Sequence, residues 1–165
     1  MRVLILSDTH IPHRSRVLPD AILEELAKVD AVIHCGDFTS YTFYEELKIL
    51  KSPLYAVKGN MDDEDLYDML PETLVFQLEG VKIGLYHGIG APWGLENKVM
   101  EKFMDHPDIN LICFGHSHRP LNQKHGNIIL FNPGSPTDTI FAPRKSYGIL
   151  EIEEGLIKKL EHVFL

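Results

Sequence analysis

Five short apolar runs in this chain each stop at a residue that can hold a metal ion. VLIL (3–6) leads into Ser7-Asp8-Thr9-His10, and AVIH (31–34) into Cys35-Gly36-Asp37. LYAV (54–57) leads into Lys58-Gly59-Asn60, KIGLY (82–86) into His87-Gly88, and LICF (111–114) into Gly115-His116-Ser117-His118. Runs this short, bounded by glycine and polar residues, read as buried strands and not as helices. In open α/β sheets, ligands bind beyond the carboxyl ends of the strands. Strands lying side by side would therefore bring all five loops to one edge.

The segments between the runs support that arrangement. A helix is expected from about Pro19, a favoured first-turn residue. Leu18, Ile22 and Leu26 form its apolar stripe, with Leu23 and Ala27 beside them. TFYEELKIL (42–50) reads as a second helix, ended by Ser52-Pro53. Strand, loop and helix thus alternate in the first third, which predicts parallel strands with right-handed crossovers. Later the pattern changes. TLVFQLEGVKIGLYHG predicts a hairpin turning at Glu79-Gly80, and LENKVMEKFMDH (95–106) an amphipathic helix. NIILF (127–131) and SYGILEI (146–152) read as strands, and Glu154-Gly155 as the turn into a last one, LIKKLEHVF. The reading is α/β in front and mostly antiparallel β behind. Two packed sheets with helices outside account for it, as one domain over 1–165.

Composition narrows the function. With 44% hydrophobic and 24% charged residues, the 165-residue chain has the make-up of a soluble globular protein. Its formal net charge of −8 argues against bulk nucleic-acid binding, which needs a basic surface. A small phosphorylated substrate stays compatible, because bound cations would invert the local field. Cys35 and Cys113 make no CxxC and read as buried, reduced thiols. No apolar run reaches membrane-spanning length, and the first residues, MRVLILSDTH, lack a secretory pattern. A cytoplasmic protein with no membrane partner is expected.

The candidate donors are two Asp, one Asn and four His. Without cysteine, such a set suits Mn, Zn, Fe, Ni or Co. Seven donors are too many for one tetrahedral ion, but fit two ions that share a carboxylate. Two such ions can activate a shared hydroxide and clamp a phosphoryl group. Gly36, Gly59, Gly88 and Gly115 adjoin these donors and allow sharp turns and close backbone approach.

The order DTH, CGD, GN, HG, GHSH resembles the calcineurin-like metallophosphoesterase superfamily, most closely its small single-domain bacterial and archaeal phosphodiesterases. The likeness runs from Val3 to about Gly148. It implies a four-layer α/β/β/α sandwich of two packed mixed sheets flanked by helices. It also implies a divalent-metal-dependent phosphodiesterase that acts on a small phosphodiester. Asp8, His10, Asp37 and His118 would hold one ion, and Asp37, Asn60, His87 and His116 the other. Asp37 would bridge them, and Asp37, Asn60 and His87 would carry the catalysis. A hydroxide held between the ions would attack phosphorus in line. Manganese is the metal expected, with Ni, Zn, Fe and Co as substitutes. An extended backbone through HSH would point its two imidazoles apart, one to each ion.

Two positions depart from the family pattern. Many members carry a histidine directly after the Asn, where this chain has Met61, which cannot transfer a proton. The chemistry then leans on the metals or on another acid such as His13. The second block, GDFTSY, also lacks a further acidic residue often found there.

Outside the ligand set, three residues are candidates for substrate binding. They are Ser135 in FNPGSP (131–136), Arg144 in FAPRKSYG and Trp93 in HGIGAPWG (87–94). A tight turn, a surface arginine and a packed loop are the plainer readings of the same residues. His34 is expected to be a core or supporting residue, and His106, His125 and His162 to lie on the surface. A non-catalytic protein-binding scaffold of the same fold, resembling a retromer subunit, is the alternative function. A redox metal enzyme is a third class that fits the bridging-carboxylate pattern less well. The alternating pattern of residues 149–165 offers a contact for a homo-oligomer.

Overall fold

The computed structural model describes residues 1–165. Alternation along the first strand, β1 (Arg2–Leu6), sets the layering. Successive side chains point to opposite faces of a sheet. Val3 and Ile5 enter a core between two sheets, and Leu4 and Leu6 a core beneath helices. α1 (Asp20–Leu26), β2 (Ala31–His34), α2 (Tyr41–Leu50), β3 (Leu54–Ala56) and α3 (Glu64–Met69) follow. Next come β4 (Thr73–Leu78), β5 (Val81–Tyr86), α4 (Leu95–Lys102) and β6 (Leu111–Phe114). β7 (Leu121–His125), β8 (Ile128–Asn132), β9 (Ser146–Glu153) and β10 (Leu156–Phe164) close the chain.

One sheet has the order β10-β9-β1-β2-β3 and the other β4-β5-β6-β8-β7. Both are mixed. β1, β2 and β3 run parallel, while β9 pairs antiparallel with β1 at Val3↔Leu150. In the second sheet, β5, β6 and β8 run parallel, flanked by antiparallel β4 and β7. The second half is mostly antiparallel, as expected: β4–β5, β7–β8, β9–β10 and β1–β9 pair that way. The central strands of its sheet are nevertheless parallel, and its last hairpin, β9–β10, returns to the first sheet.

Three apolar layers hold the sandwich. Ile22 and Leu26 of α1, Phe43 and Leu47 of α2 and Leu66 of α3 cover Leu4, Leu6 and Val32. Between the sheets, Ile5, Ile33 and Leu150 face Ile83, Leu85, Cys113 and Phe131. On the far side, Leu95, Val99 and Phe103 around α4 cover Ile112, Phe114 and Leu130. The layers are helices, sheet, sheet, helix. Both cysteines are buried and free, and burial pushes their thiols up. No helix is long and apolar enough to cross a membrane.

Several local expectations need correction. The helix read over 95–106 ends at Lys102. α3 and β7 were not foreseen. His162 is half-buried rather than freely exposed. It stacks on Phe131 at 4.5 Å, and its Nε2 donates to the Asn132 carbonyl at 2.7 Å.

Candidate metal centre

β1, β2 and β3 lie side by side in one sheet and β5 and β6 in the other, and the sheets pack face to face so that the loops after all five strands meet. The chain turns sharply as it leaves β1, β2 and β6. Asp8 (φ 53°), His10 (44°), Asp37 (59°), His116 (68°) and His118 (55°) all adopt left-handed backbone. L-residues rarely sit there, Asp and His more readily than most. Such strain persists only where the surroundings over-determine it, and it gathers at functional sites. Here the loops are laced together: Asp8 N donates to Gly36 O, His10 N to Asp37 O and Gly115 N to His87 O, each at 3.0 Å. Two glycines allow the closest approaches. A Cβ on Gly59 would lie 2.1 Å from Asp37 Oδ1, and one on Gly115 would lie 1.9 Å from Ser7 Oγ. The HSH segment is not extended, since both its histidines are left-handed. Its imidazoles nevertheless reach different neighbours.

All seven expected ligands come together. His118 Nε2 lies 3.2 Å from Asp8 Oδ1 and 3.3 Å from His10 Nε2. Asp37 Oδ2 stands between His10 Nε2 at 3.6 Å and His87 Nε2 at 3.3 Å. Asn60 Oδ1 lies 3.2 Å from His87 Nε2 and 2.9 Å from His116 Nδ1. Asp8, His10 and His118 form one cluster of converging donor atoms, and Asp8, Asp37 and His87 a second. Asp8 belongs to both groups, while Asp37 belongs to the second and lies 3.6 Å from His10 of the first.

The surroundings fit these groups to a divalent cation. His87 Nδ1 meets the Cys35 carbonyl at 2.8 Å, and His118 Nδ1 pairs with Asp138 Oδ2. A carbonyl only accepts, so His87 carries its proton on Nδ1, leaving the Nε2 lone pair for the cluster. Imidazoles that bind metals are held in this way by a carbonyl or carboxylate. His116 Nε2 likewise donates to Gly90 O at 2.7 Å, leaving Nδ1 beside Asn60.

Electrostatics shows the same demand for positive charge. Burial favours a neutral Asp8, but hydrogen bonding from His118 and the charges of His87 and His118 outweigh it, holding the carboxyl well below its usual range. Burial disfavours charge on His87 too, yet Asp37 and Asp8 raise it to about 9. Asp8 and Asp138 do the same for His118, also to about 9. Burial dominates at His10 and pushes it down. Without a cation, two imidazoles hold protons to balance the buried carboxylates.

Several supporting residues were not read from the sequence. Asp138 is buried, and its carboxylate also accepts from Ile140 N at 2.8 Å and Phe141 N at 3.1 Å. Asn132 Nδ2 donates to Gly115 O at 2.8 Å and to Ser117 Oγ at 3.1 Å, tying the HSH loop to β8. Asp62 accepts from Gly59 N and Thr39 N, and burial raises it to about 6. An acidic residue within the turn-forming run Ser135-Pro136-Thr137-Asp138-Thr139 was the available hint for Asp138. His34, expected as a supporting residue, is fully buried. It stacks on Phe38 and pairs through Nε2 with Thr9 Oγ1 at 3.0 Å.

His10, Asp37, Asn60, His116 and His118 open into a cleft of about 480 Å³, lined otherwise by His13, Arg14, Met61, Pro92, Ser117 and Phe141, while Asp8 and His87 are buried. The three expected substrate residues do not line it. Ser135 is fully buried, and its Oγ donates to the Asp8 carbonyl at 2.7 Å, so it braces the Asp8 loop. Arg144 lies over the Phe164 ring at 4.7 Å, on the C-terminal strand. Trp93 is 78% exposed and borders a neighbouring groove.

A family model for the calcineurin-like phosphoesterase superfamily domain matches residues 1–155. The chain belongs to that superfamily. A probable metallophosphoesterase of Methanocaldococcus jannaschii is 37% identical over 163 residues, 97% of this chain and 80% of the relative. Vps29 of Entamoeba histolytica, solved in complex with Zn²⁺, is 28% identical with a TM-score of 0.77, covering 99% of each chain. An archaeal phosphodiesterase of known structure shares the fold over the whole of both chains, with a TM-score of 0.76 at 24% identity.

Proposed function

We propose that this chain is a divalent-metal-dependent phosphodiesterase with a dinuclear centre, manganese being the working metal. The observation that carries the reading is the convergence of Asp8, His10, Asp37, Asn60, His87, His116 and His118 from five strand ends into one cluster, five of them lining one cleft and Asp8 and His87 buried. Asp8, His10 and His118 would hold one ion, and Asn60, His87 and His116 the other. Asp37 would serve both, a role supported by the placement of its Oδ2 between His10 and His87. When bound, the ions supply Lewis acidity to the phosphoryl oxygens and make water nucleophilic at neutral pH.

The chain's own groups do the rest. Asp138 and the Cys35 carbonyl hold protons on the Nδ1 atoms of His118 and His87, keeping each Nε2 turned inward. Met61 donates its backbone N–H to Asp37 Oδ1 at 2.7 Å, which fixes the bridging carboxylate. Its side chain supplies no proton. His13 is the one imidazole lining the cleft outside the ligand set, and so the candidate acid for the leaving oxygen.

Replacing Asp37 tests the reading. Asp37→Ala should lose metal and lower diester hydrolysis by on the order of 10²–10³-fold. A variant that keeps full activity and full metal content would overturn it. The likeness to Vps29 supports the scaffold alternative as a fold; the complete ligand set favours the enzyme.

A further inference from the structure

The cleft offers more than a phosphate needs. Beside the ligand His118 stands Phe141, its ring at 6.0 Å and nearly perpendicular. Phe141 is 62% exposed, yet the buried carboxylate of Asp138 fixes its backbone N–H. The same carboxylate holds His118. The aromatic face is therefore set in place by the group that sets the metal ligand. Across it lies Arg14, whose guanidinium sits 5.6 Å from the ring centroid. Arg14 makes no ion pair with any carboxylate of this acidic chain. Its backbone N–H donates to the carbonyl of His10 at 2.7 Å, so it too is tied to a ligand. An unpaired guanidinium set over a largely exposed aromatic ring is suited to an anion that carries a flat ring. Pockets of this volume take molecules much larger than a phosphate.

We propose that Arg14 and Phe141 form a subsite for a planar aromatic or heterocyclic group attached to the substrate's phosphoryl centre. The substrate class is thus ring-bearing phosphodiesters rather than purely alkyl ones. Arg14 pairs with a phosphoryl oxygen, and the ring lies against Phe141. The inference rests on the phosphoesterase reading for the position of phosphorus at the ligand cluster.

Two non-hydrolysable probes test it, phenylphosphonate and methylphosphonate, each titrated calorimetrically into the Mn²⁺-loaded protein. Wild type should bind the phenyl compound about tenfold more tightly. Phe141→Ala should abolish the difference, and Phe141→Leu should keep little of it. Arg14→Ala should weaken both probes. Both side chains are exposed, so unchanged thermal midpoints are expected for the variants. Equal binding of the two probes by wild type, or a preference that survives Phe141→Ala, would overturn the subsite. Binding is read without turnover. A protein that prefers the ring but cleaves no ester would instead contradict the phosphodiesterase reading.

Discussion

Asp138 is where a single side chain matters most without itself being an expected ligand. Its carboxylate fixes the proton of His118 and caps the turn that carries Phe141. Asp138→Asn keeps a hydrogen-bond acceptor but removes the charge. Metal affinity should fall by about 10–100-fold, read by competition with a chromophoric chelator. Unaltered affinity would show that the pairing does not tune the site. Gly115 has a different role. A Cβ there would meet Ser7 Oγ at 1.9 Å and Asp8 Oδ2 at 2.7 Å. Gly115→Ala should cost about 1–3 kcal/mol in urea unfolding, through forced displacement of the Asp8 loop. The ligand types were legible because each follows an apolar run directly. Asp138 was not, because its partner His118 lies 20 residues away in sequence, a pairing that only the fold creates. Ser135 was misread for the same reason: its hydroxyl serves the backbone of β1's loop, 127 residues distant.

Elements with a clear apolar period were readable, and those without one were not. β7 has the sequence LNQKH, mostly exposed and paired only with β8, so it carries no alternation to read. α3 did leave a signal. Asp63 caps it by accepting from Leu66 N at 3.0 Å, Glu64 and Asp65 occupy its first turn, and Leu66 and Leu70 face the core. The run of acids shows no apolar period, although acids favour the first turn of a helix. Asp63 also accepts from Tyr41 N at 2.8 Å and so joins α3 to the start of α2. Asp63→Ala should therefore cost about 1–2 kcal/mol, the upper part of the range for a lost cap. Denaturant unfolding checks this, and a change near zero would mean that water replaces both bonds. The order of parallel and antiparallel strands in the second sheet was not accessible from alternation, because β5, β6 and β8 are buried on both faces and read as plain apolar runs.

At the scale of the whole molecule, charge at the centre couples metal to stability. His87 and His118 are raised from an ordinary 6.5 to about 9 in the folded, metal-free protein. Their contribution to stability is present in full below about 6.5 and lost as pH rises through about 9. His34 has the opposite sign. Burial lowers it to about 3, so protonation in the unfolded chain drains stability as pH falls below 6.5. Asp62, raised to about 6, partly offsets that loss between about 6 and 3.8, since its neutral form suits its burial. The metal-free protein should show its highest thermal midpoint near pH 6.5 and a fall toward pH 9. A divalent ion replaces the two protons, so adding Mn²⁺ should remove the alkaline fall, and binding should release protons. A metal-free midpoint that stays level from pH 6.5 to 9 would contradict this account of the site.

The measurement that tests the central claim most directly is hydrolysis of a chromogenic phosphodiester by chelator-stripped protein, before and after Mn²⁺ is added, with the matching monoester beside it. The account predicts no cleavage without metal, restored cleavage of the diester with Mn²⁺, and a slower reaction on the monoester. Cleavage of neither ester with Mn²⁺, Zn²⁺, Ni²⁺, Fe²⁺ or Co²⁺ would contradict it and turn attention to the protein-binding scaffold.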